Sequence, residues 1–154
     1  MKTLLLNFVV LPLTLCLSAF AGEDWKEKPA SYWKAKLSAE QLRVCREGGT
    51  EAPGSGEYNN FKKDGIFVCS SCGLPLFDAK SKFDSGTGWP SFTAPVSDKA
   101  VDHKEDNSLF MTRTEVVCSR CKAHLGHVFN DGPAPTGKRY CINSVCLSHQ
   151  DREN

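Results

Sequence analysis

The residues most able to do chemistry in this 154-residue chain are its eight cysteines, and their spacing sorts them. Four lie in two matching stretches, Val68-Cys69-Ser70-Ser71-Cys72-Gly73 and Val117-Cys118-Ser119-Arg120-Cys121. Two intervening residues let both sulfurs of such a knuckle reach one tetrahedral ion, and two knuckles complete its shell. Zinc suits four thiolates, and a closed shell without redox activity makes the site structural. The same residues could form two disulfides in an oxidising compartment, or one pair could act in redox exchange. Neither motif opens a helix whose N-terminus would depress a thiol pKa, which weighs against the redox pair.

Cys141 lies in Lys138-Arg139-Tyr140-Cys141-Ile142-Asn143-Ser144. Strand alternation places Arg139, Cys141 and Asn143 on one face, with Tyr140 and Ile142 on the other. A guanidinium two residues from a thiol favours the nucleophilic thiolate, and an amide beside it can orient a substrate or a water. Without such neighbours a lone strand cysteine is ordinarily a small core residue.

The elements that must position these groups are short. Residues 23–45 read as a helical N-terminal arm with Trp25, Tyr32, Trp33 and Leu37 as apolar anchors, and Ser38-Ala39-Glu40-Gln41 matches a capping box that starts a helix carrying Leu42. Gly, Pro and Ser between Gly48 and Gly56 mark a loop. Beyond it, strand-like runs recur at Ile66 to Val68, Leu109 to Thr112, Glu115 to Val117, Val128 to Phe129 and Lys138 to Ser144. A mainly β domain with a helical arm is predicted. Two short helices are too few for the crossovers of a parallel α/β sheet.

Residues 1–21 read as a signal peptide: Lys2, the apolar run Leu4 to Leu17, then Ala19-Phe20-Ala21 with small residues at both positions a signal peptidase inspects. A retained anchor is the weaker alternative, because 14 residues are short for a span and no basic stop-transfer cluster follows. Cys16 does not fit a lipidation site, which wants a small residue where Leu15 stands. Residues 22–154 form the expected mature domain, periplasmic or secreted in a bacterium and in the secretory pathway of a eukaryote. Lys2 is the only charge that leaves with the signal, so eighteen basic residues then face eighteen acidic ones. That neutrality argues against nucleic-acid binding and gives no attraction to anionic lipid. Seven cysteines remain, an odd number that leaves at least one thiol outside any framework of pairs.

Four separated motifs, in order, resemble the B-type methionine sulfoxide reductases: Gly86-Thr87-Gly88-Trp89-Pro90-Ser91-Phe92, the two Cys-x-x-Cys knuckles, His124-Leu125-Gly126-His127-Val128-Phe129, and Gly137-Lys138-Arg139-Tyr140-Cys141-Ile142-Asn143-Ser144. The resemblance runs from about Trp33 to Leu147. It implies a β-sandwich of two antiparallel sheets, one structural zinc on Cys69, Cys72, Cys118 and Cys121 away from the active site, and thiol-dependent reduction of methionine-R-sulfoxide, free or in oxidised proteins. It makes Cys141 the nucleophile, converted to a sulfenic acid as methionine leaves. Trp89 becomes the wall for the substrate methyl group, with Phe129 beside it, and His124, His127, Asp131, Arg139 and Asn143 match the family's polar site positions.

The sulfoxide oxygen must finally leave as water, so a proton donor is needed, and either histidine could serve. Three residues apart, they share a face only if Gly126 breaks the strand alternation. His103 and His149 match no motif and read as surface or structural residues.

The sequence departs from the family at Thr87, where many members carry a resolving cysteine, and at Gly54, where an aromatic residue usually follows the proline. Cys45, between Arg43 and Arg46, is then the expected resolving thiol, forming a disulfide with Cys141 for a thioredoxin-like donor. Cys146 competes for that role, but lies five residues after Cys141, where a continued strand would turn it to the opposite face. The chain is expected to be a monomer with no stable membrane association once the signal is removed. A zinc-binding β module serving protein partners explains the knuckles but not the Cys-Arg-Asn face, the Gly-Trp-Pro loop or the paired histidines.

Overall fold

The computed structural model describes residues 24–108 and 111–152. The expected signal peptide lies outside them, as do Leu109 and Phe110 of the predicted run Leu109 to Thr112, and no helix among the described residues is long and apolar enough to cross a membrane.

Two short helices form the arm, α1 (Ala30–Lys36) and α2 (Ala39–Cys45). Helix α2 begins where the capping box predicts: the Ser38 hydroxyl accepts from the Gln41 N–H, and the Gln41 side chain accepts from the Ser38 N–H. Helices of seven residues are too short to persist alone, so packing holds them. Trp33, Leu37, Val44 and Cys45 supply it, all buried in the core cluster.

Among the described residues nine strands follow: β1 (Ile66–Cys69), β2 (Pro75–Asp78), β3 (Lys82–Phe83), β4 (Ser91–Phe92), β5 (Val101–Asp106), β6 (Arg113–Cys118), β7 (His124–Phe129), β8 (Arg139–Ile142) and β9 (Leu147–Gln150). They build two antiparallel sheets, of order β2-β1-β9 and β3-β4-β8-β7-β6-β5. Rings from both sheets meet in the core, where Phe77 stacks on Phe92 with centroids 4.5 Å apart and Phe67 meets Phe92 edge-on at 5.2 Å. The mainly β fold with two antiparallel sheets and a short helical arm is as expected.

Some elements differ from the expectation. Strand β5 carries Val101-Asp102-His103-Lys104-Glu105-Asp106, which shows no apolar alternation because it is an edge strand with exposed middle positions. The predicted strand Lys138 to Ser144 is shorter: β8 ends at Ile142, and Ser144–Cys146 form a 3-10 turn. That turn packs against α2, and the described structure joins the two through a Cys45–Cys146 disulfide with Cα atoms 5.7 Å apart. This corrects the expectation that Cys45 is a free thiol placed to attack Cys141. The charges thought to activate it are engaged elsewhere: Arg43 pairs with Glu40, while Arg46 donates to the Cys121 carbonyl and lies over the Trp33 ring.

Candidate active site

The two knuckles have the same local construction on different sheets. After β1, the Gly73 N–H donates to the Cys69 carbonyl and the Cys69 N–H to the Leu74 carbonyl; after β6, Lys122 N–H donates to Cys118 and Cys118 N–H to Ala123. Gly73 and Lys122 occupy equivalent left-handed positions, with φ of 73° and 60°. The four sulfurs lie within 4.8 Å of one another, with Cys69–Cys121 at 3.7 Å and Cys72–Cys118 at 3.6 Å. Sulfurs about 2.3 Å from a central zinc form a tetrahedron with edges of about 3.8 Å, so the cluster has the right size for that ion. Such an ion would join the three-stranded to the six-stranded sheet.

Cys141 lies in the middle of the six-stranded sheet, facing Ser91 of β4 on one side and His127 of β7 on the other. It is partly exposed at a cavity of about 120 Å³ lined by Thr50, Trp89, Arg113, Gly126, His127, Phe129, Cys141 and Asn143. None of the zinc cysteines reaches it. On its β4 side the thiol meets a chain of hydroxyls: Thr87 Oγ1 is 3.9 Å from the sulfur, and Ser85 Oγ is 2.8 Å from Thr87 Oγ1 and 2.7 Å from Ser91 Oγ. Burial pushes the Cys141 thiol up, and the Thr87 contact and the Arg139 charge pull back only part of the way. The thiolate preference expected from Arg139 alone is therefore outweighed in the free protein.

Arg139 reaches the neighbouring loop, where its guanidinium makes a two-pronged pair with Asp131 at 2.9 and 2.8 Å and lies 4.4 Å from the Phe129 ring centroid. Asn143 lines the cavity but spends its amide on the backbone: Oδ1 accepts from Glu51 N–H at 3.1 Å and Nδ2 donates to the Leu125 carbonyl at 3.0 Å. It orients the protein here and leaves less for a substrate than its sequence position suggested.

The histidines meet the condition set for them. Val116 faces Gly126 while Val117 faces His124, so Leu125 is an extra residue that bulges β7 and brings both imidazoles to one side, 5.6 Å apart. Gly126, at φ 156°, permits this because a Cβ there would collide with the Cys141 carbonyl oxygen. His127 enters the cavity, whereas His124 lines the neighbouring groove with Thr50, Asp106, Arg113 and Glu115. Each imidazole donates to a carboxylate, His127 Nε2 to Asp106 at 2.7 Å and His124 Nδ1 to Glu115 at 2.7 Å. Arg113 donates to the same Asp106 oxygen at 2.7 Å. Burial lowers the His127 pKa and the Asp106 bond opposes it; hydrogen bonds from Ser108 and His127, with the Arg113 charge, hold Asp106 well below the usual carboxylate range.

Sequence reasoning passed over Thr50, Glu51, Asp106, Arg113 and Glu115. The predicted run Glu115 to Val117 starts two residues late, and extending its alternation back to Arg113 puts Arg113 and Glu115 on one face. The signal for Asp106 was hidden in the charged edge strand. His103 and His149 stay outside the site, as expected: His103 lies near the Tyr140 ring, and His149 packs on Phe61 and donates from Nε2 to the Asp64 carbonyl.

A family model described as "SelR domain" matches residues 37–151. The chain is 59% identical over 127 residues to the peptide methionine sulfoxide reductase MsrB of Pseudomonas putida strain GB-1, covering 82% of this chain and 97% of that protein. It is 60% identical over 121 residues to the MsrB of Pseudomonas fluorescens strain ATCC BAA-477 / NRRL B-23932 / Pf-5, covering 79% and 93%, and 59% identical over 124 residues to that of Pseudomonas syringae pv. syringae strain B728a, covering 80% and 95%.

Proposed function

Because this chain belongs to the SelR-domain family and is a peptide methionine sulfoxide reductase, we propose a mechanism in which Cys141 acts as the sole redox thiol on the R epimer of the sulfoxide. The observation that carries it is the Cys141 thiol opening, between Trp89 and His127, into a cavity of about 120 Å³. The methyl group packs on Trp89 and Phe129, which places the sulfoxide sulfur over Cys141. The thiol proton passes to His127 as the sulfur attacks, and the imidazolium gives it to the sulfoxide oxygen. The sulfur–oxygen bond breaks, the oxygen is left on Cys141 as a sulfenic acid, and methionine departs as the thioether. Asp106 accepts the Nε2 proton of His127, which leaves Nδ1 as the nitrogen for transfer.

One external thiol then condenses with the sulfenic acid, releasing water and forming a mixed disulfide, and a second thiol displaces Cys141. A thioredoxin-like donor supplies both. Support for an external donor comes from Thr87, which offers a hydroxyl where a resolving thiol would stand, and from Cys45 and Cys146 being bonded to each other. Zinc on Cys69, Cys72, Cys118 and Cys121 supplies a structural cross-link when bound, with no part in the redox steps.

Export remains our reading of residues 1–21, with residues 22–154 as the mature monomeric domain acting on oxidised proteins or free sulfoxide. A buried disulfide fits the oxidising compartment that export implies.

The test is turnover of methionine-R-sulfoxide by Cys141→Ser with zinc content measured alongside. Loss of turnover with zinc retained is expected. Turnover unchanged from the parent enzyme would exclude Cys141 as the nucleophile.

A further inference from the structure

Glu51 is almost completely buried, 6% exposed, in a loop otherwise built of Gly, Pro, Ser, Thr and Ala, and nothing in the mechanism above uses it. Its carboxylate accepts from two successive N–H groups of the turn after β8, Ser144 at 2.6 Å to Oε1 and Val145 at 3.0 Å to Oε2. Its own N–H donates to Asn143 Oδ1 at 3.1 Å, and its carbonyl accepts from the indole Nε1–H of Trp89 at 3.2 Å. One residue thus touches both the ring that walls the cavity and the segment that ends the Cys141 strand.

The surroundings are built to hold it. Gly54 N–H donates to the Gly88 carbonyl at 2.7 Å, tying the Glu51 loop to the tryptophan loop a second time. Gly88 has φ 93° and no room for a side chain: a Cβ would come within 2.9 Å of Gly54 N and of Pro53 Cβ. A Cβ at Gly56 would lie 2.7 Å from Glu51 Oε1 and would collide with Ser144, so that glycine keeps the carboxylate's seat open. Thr50, adjacent in sequence, lines the cavity itself.

We propose that Glu51 is a positioning residue that fixes the width of the cavity between Trp89 and Cys141, and thereby limits the substrate to methyl sulfoxides. Its carboxylate is anchored to the end of the catalytic strand and its carbonyl to the indole, so the separation of wall and thiol passes through this residue. A cavity of fixed width rejects a longer alkyl group, and one methylene in a well-packed pocket discriminates by about tenfold or more.

This inference rests on the methionine sulfoxide reductase reading. The experiment uses the zinc-loaded enzyme with dithiothreitol as reductant and compares kcat/KM for N-acetylmethionine-R-sulfoxide and N-acetylethionine-R-sulfoxide. In Glu51→Gln one of the two backbone N–H groups faces an amide NH2, and the methyl-over-ethyl preference is expected to fall to about threefold or less, with the loss carried by KM for the methyl substrate. A preference equal to the parent's, whatever happens to thermal stability, overturns the proposal. If Glu51→Gln fails to fold or to hold zinc, Glu51→Asp decides, since it keeps the charge but shortens the reach to the Ser144 and Val145 N–H groups without touching the cavity wall: a reduced preference supports the proposal and an unchanged one overturns it. An enzyme whose parent form reduces neither sulfoxide would instead defeat the underlying functional reading.

Discussion

Cys141 and His127 have pKa values moved apart by the same cause. Burial raises the thiol above its ordinary 9.0 and lowers the imidazole below its ordinary 6.5, with Thr87 and Arg139 opposing the first shift and Asp106 the second. The reactive state needs one proton shared between the two groups, and that proton count persists from below 6.5 to above 9. A rate plateau is therefore expected, falling on the acid side as His127 and Cys141 are both protonated and on the basic side as both lose their proton. In Asp106→Asn the carboxylate charge that supports the His127 imidazolium is gone, so the acid limb should move to lower pH and kcat/KM at neutral pH should drop about tenfold or more. A pH–rate profile checks both, and an unmoved acid limb would show that His127 is not the group titrating there. The alternation around Cys141 was legible because it is local to four residues of one strand. The acid partners were not, since Asp106 reaches His127 across β5, β6 and β7, a path with no trace in local spacing.

The element that decides whether a second histidine can share the site is β7. Its bulge at Leu125 converts an odd spacing into a common face, and the sequence announced that possibility through Gly126 without fixing the pairing that realises it. Gly126→Ala would force β7 away from the Cys141 carbonyl. It should cost about 1–3 kcal/mol of stability as local overpacking and reduce turnover more than zinc binding, as followed by denaturation, activity and metal content together. Capping of α2, the loop after it and the two knuckles could be read from sequence because each depends on neighbours within a few residues. Strand β5 could not, because an edge strand tolerates charge at positions where an inner strand shows its apolar face.

Across the whole molecule, two covalent or metal links bind parts that are distant in sequence. The knuckles join the sheets, and the Cys45–Cys146 disulfide, spanning 101 residues, joins the helical arm to the turn that follows the catalytic strand. The odd cysteine number rightly flagged a single leftover thiol once the zinc set was removed, yet which two of the remaining three would pair depends on the seating of α2 against that turn. The double variant Cys45→Ser/Cys146→Ser should lose about 2–4 kcal/mol in denaturant unfolding while keeping dithiothreitol-supported turnover, because the pair is structural in the proposed cycle. The claim at the centre of that cycle is that Cys141 alone carries the oxidising equivalent. A single turnover of methionine-R-sulfoxide without reductant, followed by a sulfenic-acid trap and peptide mapping, tests it directly. The expected result is the trap on Cys141 with the Cys45–Cys146 disulfide intact; a Cys141 disulfide to Cys45 or Cys146 would contradict it.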